Sequence, residues 1–173
     1  MNSKNLILQL FYFVLYIFLQ IMFMKNLVLF DKAFCFIYIG FLLLLPFETN
    51  TVMLLIWGCV VGLFVDIFYD SLGIHMAASV LLVYLRPYWI NLITPRGGYE
   101  VGMEPTLKLM KFEWFATYAL PLIFVHHFAL FYIETGGFSL FFFTLVKVIA
   151  SVLFTFTTVV LFQYLFYPSR RTI

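Results

Sequence analysis

The sequence predicts an all-α integral membrane protein of six transmembrane helices, and three observations predict it. Hydrophobic residues fill 65% of the 173 positions and charged residues only 10%, where a soluble domain carries roughly a quarter charged. Mean hydropathy is +1.07. The apolar runs are ~20 residues long, the length a helix rising 1.5 Å per residue needs to cross a hydrocarbon core.

The spans fall at 6–24, 33–47, 51–69, 74–93, 114–133 and 140–166, all within one membrane domain, 1–173. The first follows Lys4. Its apolar run is longer than a signal-peptide core and no small-residue cleavage site follows, so it reads as an uncleaved span. The second is short but extends back toward Leu29, and the last is long enough to tilt or to run on into the interface. Only the connection 94–113 is large. Its Pro95, Gly97, Gly98, Gly102 and Pro105 mark a loop, followed by a short amphipathic piece. With both termini in the cytoplasm, Lys4, Arg96, Lys108, Lys111, Arg170 and Arg171 lie inside and Lys25 and Lys32 outside. That is the arrangement the positive-inside rule favours, and it places Trp89 and Trp114 beside the long loop at the interface.

Composition and motifs exclude several functions. A net charge of +2 with no basic block argues against nucleic acid. Cys35 and Cys59 sit within apolar runs and read as small hydrophobes. No HExxH, nucleophile elbow, P-loop or cysteine-ligand spacing occurs. His126 and His127 are adjacent, so on a helix they point ~100° apart and do not readily share one ion. They read as packing or interface residues, with Glu134 within reach of one ring. No enzymatic activity, cofactor or metal is expected.

The informative polar residues lie in the third and fourth spans. Gly58, Gly62, Asp66 and Asp70 repeat every four residues and share one slowly turning helix face. Gly58 and Gly62 form a small-xxx-small pattern that lets another helix approach closely. An acid within a span costs roughly 2.5 kcal/mol or more on insertion scales, so Asp66 needs a partner or a wet cavity. Gly73 permits the reversal into the fourth span, and His75 stands where its ring reaches Asp66 or Asp70. Lys147, deep in the last span, is the expected counter-charge of one of these aspartates. Arg86, ahead of the kinking Pro87, is expected to clamp Glu48 in the turn between the second and third spans. Pro121 marks a kink in the fifth span.

The run "WGCVVGLFVDIFYDSLGIHMAASVLLVYL" resembles the central signature of the rod shape-determining protein MreD family. That signature is G-x-x-x-G-x-x-x-D followed shortly by L-G-x-H, matched here by Gly58, Gly62, Asp66, Leu72, Gly73 and His75. The flanks "LLLLPFE", "LRPYWINLITPRGGYE" and "FVHHFALFYIE" resemble its Bacteroidetes-type branch. The resemblance implies a six-span inner-membrane protein, similar in fold to the substrate-binding subunits of energy-coupling-factor vitamin transporters and without enzymatic activity. It also implies partners: a bitopic MreC-like protein, with MreB, RodA and a class-B transpeptidase in the same wall-elongation assembly. Membrane lipid is the surrounding medium, and anionic lipid or a cytoplasmic partner is expected at Arg96, Lys108 and Lys111. The rival is a vitamin-type transport subunit whose outward pocket would use Asp66, Asp70, His75 and Lys147. Such subunits resemble one another in an A-x-x-x-A surface on the first span, whereas the first alanine here is Ala33. An intramembrane enzyme built on His126, His127, Glu134 and the aspartates lacks any motif that ties them together.

Overall fold

A computed structural model describes residues 3–100 and 102–166; Arg170 and Arg171, two of the orienting cations, lie outside them. Among the described residues, five helices are long and apolar enough to cross a membrane. The first, α1 (Ser3–Leu19), continues into a π-helical turn, Gln20–Met24. The others are α3 (Thr51–Tyr69), α4 (Ile74–Ile93), α5 (Leu107–Glu134) and α6 (Phe141–Phe166). The chain is therefore a mostly helical, multi-pass membrane protein.

The expected helix over 33–47 is replaced by a composite segment. A hairpin of β1 (Val28–Leu29) and β2 (Ala33–Phe34) pairs Val28 with Phe34 and Leu29 with Ala33. Phe30 and Asp31 at its tip both have positive φ, as a tight hairpin turn with right-handed strand twist requires. Non-helical backbone follows, and only Ile39–Leu44 is helical, as α2. A short apolar run is compatible with either a helix or an extended buried strand, so hydropathy alone does not separate them.

Burial explains why the broken form is tolerated. Every residue from Cys35 to Leu45 is buried, whereas all five long helices keep exposed apolar side chains. Backbone without its own hydrogen-bond ladder survives at membrane depth only where protein surrounds it. The segment is also forced topologically. The far ends of α1 and α3 meet, with Gln20 Nε2 2.7 Å from the Tyr69 hydroxyl and Lys25 Nζ bonded to Phe68 O. Those helices run parallel, so residues 25–50 must return the length of the bundle between them.

Local signals set the helix ends. Asn50 caps α3 by accepting the Val52 N–H at 2.9 Å. Asp70 ends it in a left-handed conformation, φ 54° and ψ 38°. Gly73, at φ 88°, completes the reversal into α4. Helix α5 starts earlier than the expected 114, at Leu107, whose N–H is capped by Gln163 Oε1 of α6 at 2.7 Å. It breaks at Lys111 (φ 64°, ψ 162°), so the amphipathic end of the 94–113 connection is a separate helical turn. Pro87 and Pro121 lie inside α4 and α5.

The connection folds back over the bundle end that holds Glu48. Phe47 and Tyr99 stack at 3.9 Å, with Trp114 edge-on to both. Phe47 N–H donates to Met103 O at 3.2 Å, and Trp89 Nε1 donates to Thr117 O at 3.1 Å.

Helices α3 and α4 meet backbone to backbone at the two glycines. A Cβ on Gly62 would collide with the Met76 backbone and lie 2.8 Å from His75 O. On Gly58 it would lie 2.7 Å from a Val83 methyl and 3.3 Å from Ser79 O. Backbone cannot yield as a methyl can. Gly62→Ala is therefore expected to cost about 1–3 kcal/mol through overpacking, measured as unfolding in mixed micelles. Gly58→Ala should cost less, because the nearest atom its Cβ meets is a Val83 methyl that can shift, the helix-propensity gain of up to about 1 kcal/mol being common to both positions; equal losses at both positions would contradict the backbone contact at Gly62.

Candidate functional site

Asp66, one turn from the end of α3, is only 5% exposed and faces the start of α4. Its Oδ1 accepts from the His75 backbone N–H at 2.9 Å and from Ser71 Oγ at 2.7 Å, while Oδ2 accepts from the Met76 N–H at 2.9 Å. The first N–H groups of a helix have no intrahelical acceptor and carry its positive dipole end. A carboxylate from the preceding helix supplies both needs. The expected bond from the His75 ring to Asp66 or Asp70 is replaced by this backbone contact, because the reversal at Gly73 turns the amides of α4 toward Asp66. Asp70 is exposed and serves through its backbone, its N–H donating to Asp66 O.

The His75 ring instead joins a network centred on Tyr38 of the composite segment. The buried Tyr38 hydroxyl lies 3.0 Å from His75 Nδ1 and 2.7 Å from His126 Nε2. A phenol has one proton, so it donates to one ring and accepts from the other. His127 Nδ1 lies 2.8 Å from Ile123 O. A carbonyl only accepts, so that nitrogen bears the proton and Nε2 receives the Thr155 hydroxyl at 3.1 Å. The Phe36 ring packs between His75 and His127, at 5.2 and 5.3 Å. His126 and His127 thus have separate partners, and neither faces Glu134. Among the described residues no group of three or more His, Cys, Asp or Glu is placed to hold a metal ion.

Around this centre, side chains satisfy backbone groups of 33–45 that neither the hairpin nor α2 pairs. Ser151 Oγ accepts the Phe34 N–H at 2.9 Å, and Thr155 Oγ1 accepts the Phe36 N–H at 3.0 Å. Gln20, turned inward by the π-helical turn, donates to Cys35 O at 3.1 Å and to the Tyr69 hydroxyl. At the other end of the segment the Tyr118 hydroxyl donates to Leu43 O at 2.8 Å.

Arg86 completes that end. It is fully buried, donating through Nε to the Tyr118 hydroxyl at 2.7 Å and through Nη2 to Leu45 O and, at 3.4 Å, Leu43 O. These carbonyls close α2, where the helix dipole is negative. The expected Glu48 clamp is absent because Glu48 lies out at the turn, its Oε1 accepting the Gly102 N–H at 3.0 Å. Lys147 also has another partner than the expected aspartates. It pairs with Glu134 Oε2 at 3.0 Å across the α5–α6 reversal and sits 4.3 and 4.6 Å from the Phe131 and Phe34 ring centres. The nearest acid on the adjoining helix takes the lysine before an aspartate on α3 can.

Asp66 and His75 are brought together, while Asp70, Lys147, Glu48 and Arg86 go to other places. The residues passed over by sequence reasoning are Gln20, Tyr38, Tyr118, Ser151, Thr155 and Gln163. A signal existed for three of them. Ser151, Thr155 and Gln163 lie four and twelve residues along one buried stripe of α6.

Replacing Asp66 with Ala leaves the buried His75 amide and the part-buried Met76 amide without an acceptor and is expected to cost at least about 2 kcal/mol; Asp66→Asn, which keeps an oxygen, should recover part of it. Arg86→Met is expected to cost about 3 kcal/mol, with Arg86→Lys intermediate because an ammonium lacks the fixed fork. Unfolding in mixed micelles checks both series. An Asp66→Ala protein as stable as the parent would exclude the cap.

Compared with protein-family models, curated proteins and solved structures, the chain matches none.

Proposed function

We propose that this chain is a noncatalytic scaffold of bacterial cell-wall elongation. It would sit in the inner membrane with both termini cytoplasmic and with segment 33–45 as a sixth crossing, only partly helical. In this reading it binds an MreC-like bitopic protein and helps organise peptidoglycan synthesis and cell shape alongside MreB, RodA and a class-B transpeptidase.

The observation that carries the reading is what the signature residues do. Gly58 and Gly62 bring α3 onto α4, Gly73 turns the chain, and Asp66 ties the two helices together at the turn. These are tasks of rigidity, suited to a protein that holds others in place. At that end Asp66 bonds the α4 backbone and the His75 ring bonds Tyr38, and one cavity, near Glu48, lies at the opposite end. The four residues a transport pocket would need are divided between an α4 cap, an exposed turn and the Glu134 ion pair.

Purification of the tagged protein from native membranes in mild detergent, with mass spectrometry of what is retained, tests the proposal. The expected result is a single-span coiled-coil protein together with wall-synthesis enzymes. Recovery of an ATPase pair and a coupling subunit would overturn it in favour of transport. Asp66→Ala should lower partner recovery by at least about threefold per folded molecule, the equivalent of roughly 0.7 kcal/mol of binding.

A further inference from the structure

Helix α4 has two opposite faces of different chemistry. His75, Ser79 and Arg86 turn inward, and on the far side Ala77, Leu81, Tyr84, Tyr88 and Asn91 are exposed. The exposed five follow one another at steps of four, three, four and three residues, the repeat that keeps one seam facing a second helix. A stripe that meets only lipid needs only apolar side chains. Helix α6 has such a stripe in Val146, Ile149 and Leu153, and its Thr157 hydroxyl returns to Leu153 O at 2.8 Å. Helix α4 differs in carrying two phenols and an amide. Tyr84 is 47% exposed and Tyr88 61%, with ring centres 5.6 Å apart. Tyr84 lies ten residues from the start of α4, ~15 Å into a hydrocarbon core of ~30 Å. Long helical side chains lean toward the N-terminus of their helix, which carries Tyr88 toward Tyr84 and away from the nearer bilayer surface. Two phenols that bond each other use one proton and leave one. Hydrocarbon offers it no acceptor.

The stripe carries no charge, and each of its polar groups, hydroxyl or amide, both donates and accepts. Such a surface is complementary to itself. We propose that α4 pairs in parallel with α4 of a second copy of this chain, about a two-fold axis along the membrane normal. The axis sets each residue opposite its own counterpart at the same depth. The phenols of one stripe then meet those of the other, and Asn91 meets Asn91, an amide pair of the kind that fixes register in a coiled coil. Ala77 leaves room for close approach near the α3–α4 turn. The pairing rests on α4 alone and is independent of the scaffold reading.

Oxidative crosslinking in native membranes and single-molecule subunit counting in liposomes test the pairing, both on the full-length protein with Cys59→Ser, which removes the exposed native thiol. Leu81→Cys is expected to give a product of twice the chain mass, at least about fivefold more abundant than from Leu153→Cys on the lipid-facing side of α6. On dilution with lipid, Tyr84→Phe with Tyr88→Phe, which keeps the shape and removes the hydroxyls, should raise the dissociation constant at least about threefold. Ala77→Trp, which blocks close approach, should raise it at least about tenfold. Should Ala77→Trp fail to fold by gel filtration, the double phenylalanine variant carries the test alone. Single chains at every dilution, or dissociation unchanged in the folded variants, would overturn the proposal. So would a Leu81→Cys product no more abundant than the Leu153→Cys one, or one joined to a protein of another mass.

Discussion

Everything in this bundle answers to one constraint: a backbone without its own ladder of hydrogen bonds has been placed inside an apolar solid. Each amide or carbonyl left open there costs about 1–3 kcal/mol. Segment 33–45 presents several, and the surrounding helices answer them individually, with Ser151 and Thr155 from α6, Gln20 from the π-helical turn, Tyr118 from α5 and Arg86 from α4. These five polar residues of the long helices are explained by this. Arg86 shows the logic most clearly, since its fork meets carbonyls at the end of α2 and a phenol rather than an acid.

The same principle, applied to the open end of a helix, accounts for Asp66. The α3–α4 reversal is tight, and the glycines draw the two backbones together until the first amides of α4 lie within reach of a side chain on α3. Close packing makes the cap possible, and the cap holds the packing at its end. Tyr38 couples this corner to the composite segment through His75 and to α5 through His126. Three elements therefore share one hydroxyl.

Much of the fold was legible in the sequence because transmembrane helices are defined by length and side-chain hydropathy, both of which a sequence displays. The glycine and aspartate face was legible because a four-residue spacing maps directly onto a helix surface. Residues 33–47 were not, since their side chains are as apolar as those of a helix and the difference lies in the backbone. The partners of Arg86 and Lys147 were misassigned for a related reason. Pairing opposite charges at similar depth overlooks carbonyl groups, which carry no letter of their own, and overlooks Glu134, which the α5–α6 reversal delivers to Lys147. Tyr38 and Gln20 became visible only when a folded backbone showed what they touch.

The composite segment also bears on the order in which the protein can be made. Its amides at Phe34 and Phe36 find their acceptors on α6, the last helix described, well over a hundred residues later in the chain. Until that helix leaves the ribosome, residues 33–45 have no stable place in lipid, and the insertion machinery or bound water must shelter them. Membrane integration of this protein is therefore concerted at its end rather than helix by helix, and the early chain remains provisional until the late chain arrives.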